Sequence, residues 1–252
     1  MEGHIISMQG ITKRFNGKTA LDKVQFTIEK GDSVAVLGRN GAGKTTLLRI
    51  LLGLLQQTEG TVLYEGQPQL TLAFRKKTGF YIGKEYLPEE LSGMEYLQFL
   101  NHLYNGGRLR SDEELRGLMD YFFEGADAAG KAIGAYSFGM MQKAGICGAL
   151  VNQPELLVLD EPFSGLDAFS CKKLLAFLQQ YKQQRTLLLS SHDLSFVEKI
   201  CNKLLVIDAG KVCYYNTMED FTVNGRNSLE ESLFRLLYPQ ESDNEKISWL
   251  IE

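Results

Sequence analysis

The sequence predicts an α/β fold built on a mostly parallel sheet. Short apolar runs at 33–37, 156–159, 186–189 and 203–207 read as buried strands. Helical patterns with apolar residues at i, i+3 and i+4 separate them, and the first run ends abruptly in glycines before a helix opens. In order, residues 24–28 alternate in polarity and turn at Gly31-Asp32 into Ser33-Val34-Ala35-Val36-Leu37, a buried strand. Residues 44–55 carry a stripe of Leu47, Leu48, Leu51, Leu52 and Leu55, which predicts a helix that Gly53 weakens near its end. Between Gly83 and Ala149 the strand signal disappears. Helical stretches at 94–103 and after the capping box Ser111-Asp112-Glu113-Glu114 predict an inserted helical subdomain. Strand runs then resume, separated by patterns such as Leu174, Phe177, Leu178 and Tyr181. After Asp208-Ala209-Gly210-Lys211 a hairpin-like strand covers 212–215 and a helix pattern covers 228–234, and an acidic tail runs from Pro239 to Glu252.

Composition narrows the class. With 252 residues, 44 % apolar and 23 % charged, and 5 Pro against 25 Gly, the chain is neither disordered, collagen-like nor low-complexity. Its net charge of -4 argues against a partner held by phosphate neutralisation over a broad basic face, so no nucleic-acid partner is expected. The longest apolar stretch, 50–55, is broken by Gly53 and falls far short of the roughly 20 residues that cross a bilayer. Met1-Glu2-Gly3-His4 shows no secretory pattern. Cys147, Cys171, Cys201 and Cys213 are scattered without paired spacing and are expected to be reduced thiols.

Gly38-Arg39-Asn40-Gly41-Ala42-Gly43-Lys44-Thr45-Thr46 fits G-x-x-x-x-G-K-[ST], between a predicted strand and a predicted helix. Glycines let backbone N–H groups approach a polyphosphate closely, and the helix N-terminus adds partial positive charge. Lys44 is expected to reach the terminal phosphates and the Thr45 hydroxyl to help hold Mg²⁺. An ordinary glycine-rich turn would need neither. The apolar run 156–159 ends in Asp160-Glu161, a costly pairing unless a cation or proton manages it. Asp160 is expected to hold Mg²⁺ through a water, and Glu161 to face the attacking water as general base. Standing alone, the pair would also read as a strand end capped by solvated acids.

With these motifs in place the chain resembles the nucleotide-binding subunit of an ATP-binding cassette (ABC) transporter over nearly its whole length. Tyr136-Ser137-Phe138-Gly139-Met140-Met141-Gln142 matches the family's signature Leu-Ser-Gly-Gly-Gln in a variant form. Ser164-Gly165-Leu166-Asp167 matches the loop after the acids, and His192 after Ser190-Ser191 matches the switch histidine. Phe15 in Phe15-Asn16-Gly17 stands where the family stacks an aromatic ring on adenine. Alone, Ser137 would be an N-cap, His192 a structural histidine and Phe15 a packing residue.

The resemblance implies a P-loop NTPase fold with an antiparallel N-terminal β-subdomain, a mostly parallel core and an inserted helical subdomain. It divides the chain into the β-subdomain with the phosphate-loop part of the core (1–82), a helical subdomain with the signature (83–150), the second part of the core with the acids and His192 (151–220), and a C-terminal helix and tail (221–252). It implies an ATPase that binds ATP and Mg²⁺ and acts as a homodimer or heterodimer. In that dimer Ser137 and Gly139 close on the partner subunit's ATP, and Asp167 links the two sites. It also implies a separately encoded membrane permease, a place on the inner face of the cell membrane, and a lean toward exporters of drug, peptide or bacteriocin-type cargo. Two other classes stay open: a non-transport ABC ATPase, and a regulatory subunit with weak hydrolysis.

One departure stands out. Aligning Leu91-Ser92-Gly93-Met94-Glu95-Tyr96-Leu97 with the family pattern puts Gly83 where the family supplies a Gln that touches Mg²⁺ or the attacking water. Losing one such polar group costs on the order of 3 kcal/mol, about a hundredfold in turnover, unless Lys84, Glu85 or a water takes over. Hydrolysis is therefore expected to survive but to be slow or partner-dependent.

Overall fold

The computed structural model describes residues 4–104, 109–123 and 128–238. β1 (His4–Phe15) and β2 (Lys18–Glu29) form a hairpin. Its two-residue turn, Asn16 at φ 46° and Gly17 at φ 81°, has the positive dihedrals that match the right-handed twist of paired strands. β3 (Ser33–Leu37) is buried at every residue, as expected of a strand covered on both faces. α1 (Lys44–Leu51) follows, then β4 (Glu59–Tyr64), which pairs antiparallel with β1. The order β2-β1-β4 makes the expected antiparallel N-terminal sheet.

α1 is four residues shorter than the sequence stripe predicts, ending at Leu51 and not at Leu55. Gly53 ends it at φ 67°: its N–H donates to the Ile50 carbonyl at 2.9 Å, and the Leu54 N–H donates to the Arg49 carbonyl at 2.9 Å. That pair of bonds satisfies the last helical carbonyls, and a left-handed residue is what glycine supplies most cheaply. Leu55 still packs on the core, but from the following loop.

α2 (Leu72–Lys76) and β5 (Thr78–Tyr81) lead into the helical segment of α3 (Gly93–Leu103), α4 (Asp112–Phe123) and α5 (Phe138–Leu150). Capping boxes open α3 at Ser92/Glu95 and α4 at Ser111/Glu114. β6 (Leu156–Leu159), α6 (Ala168–Tyr181), β7 (Thr186–Ser190), α7 (Leu194–Ile200), β8 (Lys203–Asp208) and β9 (Lys211–Thr217) complete the core, and α8 (Met218–Phe221) and α9 (Leu229–Leu237) follow. The acidic tail expected after Pro239 lies outside the described residues.

The large sheet runs β5-β6-β7-β3-β8-β9, parallel throughout except where β9 pairs antiparallel with β8. Strand side chains alternate between two cores. Val34, Val36, Val158, Leu188 and Leu205 face α1 and the N-terminal sheet, whereas Ala35, Leu37, Leu157, Leu159, Leu187 and Leu204 face the helical side. β6, β7 and β3 are neighbours, so the turns after them open at one edge, the place where open α/β sheets bind ligands.

Candidate nucleotide site

The phosphate loop is held against the sheet by contacts that leave no room for side chains. A Cβ on Gly38 (φ 150°) would lie 2.1 Å from the Ile207 carbonyl oxygen, and one on Gly43 (φ 109°) would lie 2.8 Å from the Ala20 carbonyl oxygen. The Gly210 N–H donates to the Ala42 carbonyl at 3.0 Å, tying the β8–β9 turn to the loop. Among the described residues no side chain caps α1, which opens shortly after the exposed Asn40-Gly41 turn. Such uncapped amides suit an anion. The Lys44 ammonium folds back to donate to the Gly38 carbonyl at 2.7 Å and to the Arg39 carbonyl at 3.3 Å. Thr46 follows within the first turn of α1.

From Thr45 a chain of hydrogen bonds crosses three strand ends. The Thr45 hydroxyl donates to Asp160 Oδ2 at 2.7 Å, and the Ser190 hydroxyl donates to Asp160 Oδ1. The Glu161 N–H donates to Ser190 Oγ at 2.9 Å, and its carbonyl accepts from Gln142 Nε2 at 3.0 Å. These bonds hold Glu161 in the left-handed region at φ 48°, a conformation costing on the order of 1 kcal/mol or more for a residue with a Cβ. His192 Nδ1 lies 2.7 Å from Glu161 Oε2, and the His192 N–H donates to the same oxygen at 3.2 Å. An ionised carboxylate only accepts, which assigns the proton to Nδ1 and leaves Nε2 for a ligand. Phe163 stacks on Phe196 at 4.1 Å and so ties the segment after Glu161 to the helix after His192. Beside them a groove of about 420 Å³ is lined by Glu161, Ser164, Leu166, Lys172, His192 and Asp193.

The other residues singled out from sequence lie elsewhere. Ser137 is the N-cap of α5, accepting from the Met140 N–H at 3.3 Å. A Cβ on Gly139 would lie 2.7 Å from the Gly165 carbonyl oxygen, so the start of α5 abuts the 164–167 loop. Asp167 caps α6, accepting from the Phe169 and Ser170 N–H groups and the Ser170 hydroxyl. The Ser170 bonds come first in holding its carboxyl down at about 2, and Lys143 Nζ at 3.8 Å adds to them. Phe15 ends β1 half-exposed, with Lys13 Nζ 4.8 Å from its ring centroid.

Gly83 has φ 140°, and a Cβ there would lie 2.3 Å from Glu85 Oε2. A Gln at this position would meet a dihedral that L side chains rarely adopt and would have to displace the Glu85 carboxylate, the end of a flexible side chain. Ser190 and Gln142 are the participants to which motif reading gave no role, whereas Glu85, named as a replacement for the absent Gln, does lie beside Gly83. Ser190 had a visible cue, a hydroxyl ending an apolar run two residues before His192. Burial raises the thiols of Cys147 and Cys171 above the usual range and pushes Cys201 up to about 12, and all four cysteines are free.

A parallel sheet with a glycine-rich loop between strand and helix, and with acids at the neighbouring strand end, defines a phosphate-loop nucleotide hydrolase. Comparison with known proteins carries this further. The family model described as "ABC transporter" matches residues 21–164. The ABC transporter ATP-binding protein NatA of Bacillus subtilis (strain 168) is 32 % identical over 238 residues, covering 88 % of this chain and 94 % of NatA. The bacitracin transport ATP-binding protein BcrA of Enterococcus faecalis is 33 % identical over 211 residues, covering 82 % of this chain and 67 % of BcrA. A solved ATP-binding subunit of an ABC transporter superimposes with a TM-score of 0.82 at 26 % identity, covering 92 % of this chain and 99 % of that one. The chain belongs to the ABC transporter family, and it is an ATP-binding ATPase subunit of that family. Among the described residues no helix is long and apolar enough to cross a membrane.

Proposed function

We propose that this chain hydrolyses ATP to power a separately encoded membrane permease, with cargo of the drug, peptide or bacteriocin type. The carrying observation is the hydrogen-bond chain Thr45–Asp160–Ser190–Glu161–His192 beside the phosphate loop. Gly38, Asn40, Gly41, Ala42, Gly43, Lys44, Thr45 and Thr46 bind the triphosphate through amides, ammonium and hydroxyls, and Phe15 stacks on the base. The Thr45 hydroxyl and the Asp160 carboxylate are oxygen donors already in mutual contact, which fits a hard cation. They would hold Mg²⁺, which when bound neutralises phosphate charge. Glu161 orients the attacking water and takes its proton, and His192 fixes the carboxylate through Nδ1–H and, when doubly protonated, donates Nε2–H to the γ-phosphate. Products are ADP and phosphate, with no covalent enzyme intermediate.

Ser137 and Gly139 act on the ATP of a second nucleotide-binding subunit, and Asp167 lies at the contact between the two. ATP then favours the closed dimer because only that state adds the second set of contacts. The permease docks on the groove of about 390 Å³ lined by Tyr86, Leu87, Tyr96, Phe99 and Tyr104, which places the subunit on the inner face of the membrane. NatA and BcrA, whose names describe transport ATPases, support the reading, and BcrA's name supports the cargo class. The test is Mg²⁺-dependent phosphate release by the purified chain, alone and in membranes with the permease from a neighbouring reading frame. Stimulation by that permease is the expected result. Hydrolysis that no permease alters would refute the partnership.

A further inference from the structure

α9 reaches back to the phosphate loop. Arg39, exposed on that loop, carries its guanidinium 4.8 Å from the ring centroid of Tyr238, the residue that closes α9. Among the described residues no carboxylate pairs with this guanidinium. The face of an aromatic ring attracts a cation, so Tyr238 gives a long exposed side chain one place to rest.

Both ends of the contact are anchored. The Tyr238 N–H donates to the Phe234 carbonyl at 2.8 Å, and the two rings stack at 5.1 Å with 23° between their planes. α9 opens on the capping box Ser228/Glu231, buries Leu229, and lays Leu233 and Leu237 on the same core as Val197 and Ile200 of α7, whose N-cap Asp193 follows His192. At the other end the Arg39 carbonyl accepts twice within the loop. The Ala42 N–H donates to it at 3.1 Å, closing the Asn40-Gly41 turn, and the Lys44 ammonium donates to it at 3.3 Å. The loop's outer turn and its lysine thus hang on the main chain of Arg39, while the side chain of Arg39 is held from outside. α9 spans from the helix behind His192 to that turn.

Magnitude decides what the contact can do. A cation–π pair at an exposed site shifts an equilibrium by about two- to fivefold, too little to decide the fold. It is enough to pre-order a glycine-rich turn that must be fixed before it wraps an anion. Gly38 and Gly43 are already pinned by close backbone approach, whereas a Cβ on the exposed Gly41 would meet nothing within 4 Å. The tether falls on the part of the loop that the sheet does not hold.

We infer that Tyr238 is a positioning residue for nucleotide binding: from α9 it holds Arg39, and through Arg39 it keeps the outer turn of the phosphate loop in the shape that receives the triphosphate. The inference deepens the nucleotide reading above and rests on it.

Equilibrium binding of Mg²⁺ and the non-hydrolysable analogue AMP-PNP to the full chain, beside steady-state ATP hydrolysis, tests this. Tyr238→Leu binds the analogue about threefold more weakly and raises KM for ATP by about the same factor, with turnover at saturating ATP unchanged. Tyr238→Phe, which keeps the ring face, binds as the native chain does. Arg39→Gln shows the same threefold loss, and the double variant loses no more than either single one, because both act through one contact. Three results overturn the inference: native affinity in Tyr238→Leu, a Tyr238→Phe variant as weak as Tyr238→Leu, or single losses that multiply in the double variant, as they would if the ring served only to pack on Phe234. A native chain that binds no Mg²⁺–AMP-PNP at all would remove the nucleotide reading itself, and the inference with it.

Discussion

Around Glu161 the polar groups reach across elements, while around Ser137 they turn back on their own. Thr45 meets Asp160 across 115 positions of sequence, Ser190 meets Asp160 across 30, and His192 meets Glu161 across 31. The side-chain bond of Ser137 stays three residues away, and those of Asp167 stay two to three residues away, each closing the start of its own helix. The first region is assembled within one chain. The second uses the Ser137 and Asp167 side chains chiefly as caps, with Lys143 at 3.8 Å from Asp167 as a further partner. The difference teaches that the two sets of residues are built separately, as the proposed site shared between two copies requires.

The largest expected effect falls on the assembled region. Glu161→Gln removes the base and keeps the shape, so phosphate release should drop by about a thousandfold while ATP binding persists. Equilibrium binding beside single-turnover kinetics checks both halves, and normal turnover would break the assignment. Ser190→Ala strips a donor from Asp160 and an acceptor from the Glu161 N–H. A loss of about 2 kcal/mol, some thirtyfold in rate, is expected, with a raised Mg²⁺ requirement in a titration of activity.

The sharing between copies is tested by mixing. Lys44→Ala spoils the hydrolytic half and Ser137→Ala the closing half, so each variant alone should be inactive and their mixture should regain turnover. A silent mixture would mean that Ser137 is only a cap, whose loss costs about 1 kcal/mol of helix stability and no more. Gly83→Gln should lower stability by about 1–3 kcal/mol in a thermal melt, because the side chain enters at φ 140° against the Glu85 carboxylate. An unchanged melting temperature would show that the 83–86 turn yields freely.

The smallest effect is the pH dependence of the Asp167 cap. Its carboxyl is held at about 2, below the ordinary 3.8, by the Ser170 N–H first and the Ser170 hydroxyl second. A depressed carboxyl stabilises the fold above its ordinary range and loses that contribution as pH falls. The difference in melting temperature between the native chain and Asp167→Asn should therefore be constant near neutrality and shrink between about pH 4 and pH 2.

Much of this was legible in the sequence because the signals are local. The glycines and Lys44 are spaced for a loop before a helix, the acids end an apolar run, and Ser92 and Ser111 each stand three residues before a Glu. Where a local signal misled, it was the leucine stripe on α1. The stripe continued to Leu55, but Gly53 at φ 67° already offered the last carbonyls better partners.

The residues by themselves determined the strand–loop–helix order, the glycine-rich loop before a helix and the pair of acids at a strand end, since each depends on neighbours within a few positions. Only the folded chain decided that Ser190 would bridge Asp160 and Glu161, that His192 would grip Glu161, and that a carboxylate from position 85 would fill the space at Gly83. Those partners meet because three parallel strands end side by side and one helix lies across them. Such adjacency is set by the burial of two apolar faces, and a one-dimensional pattern does not contain it.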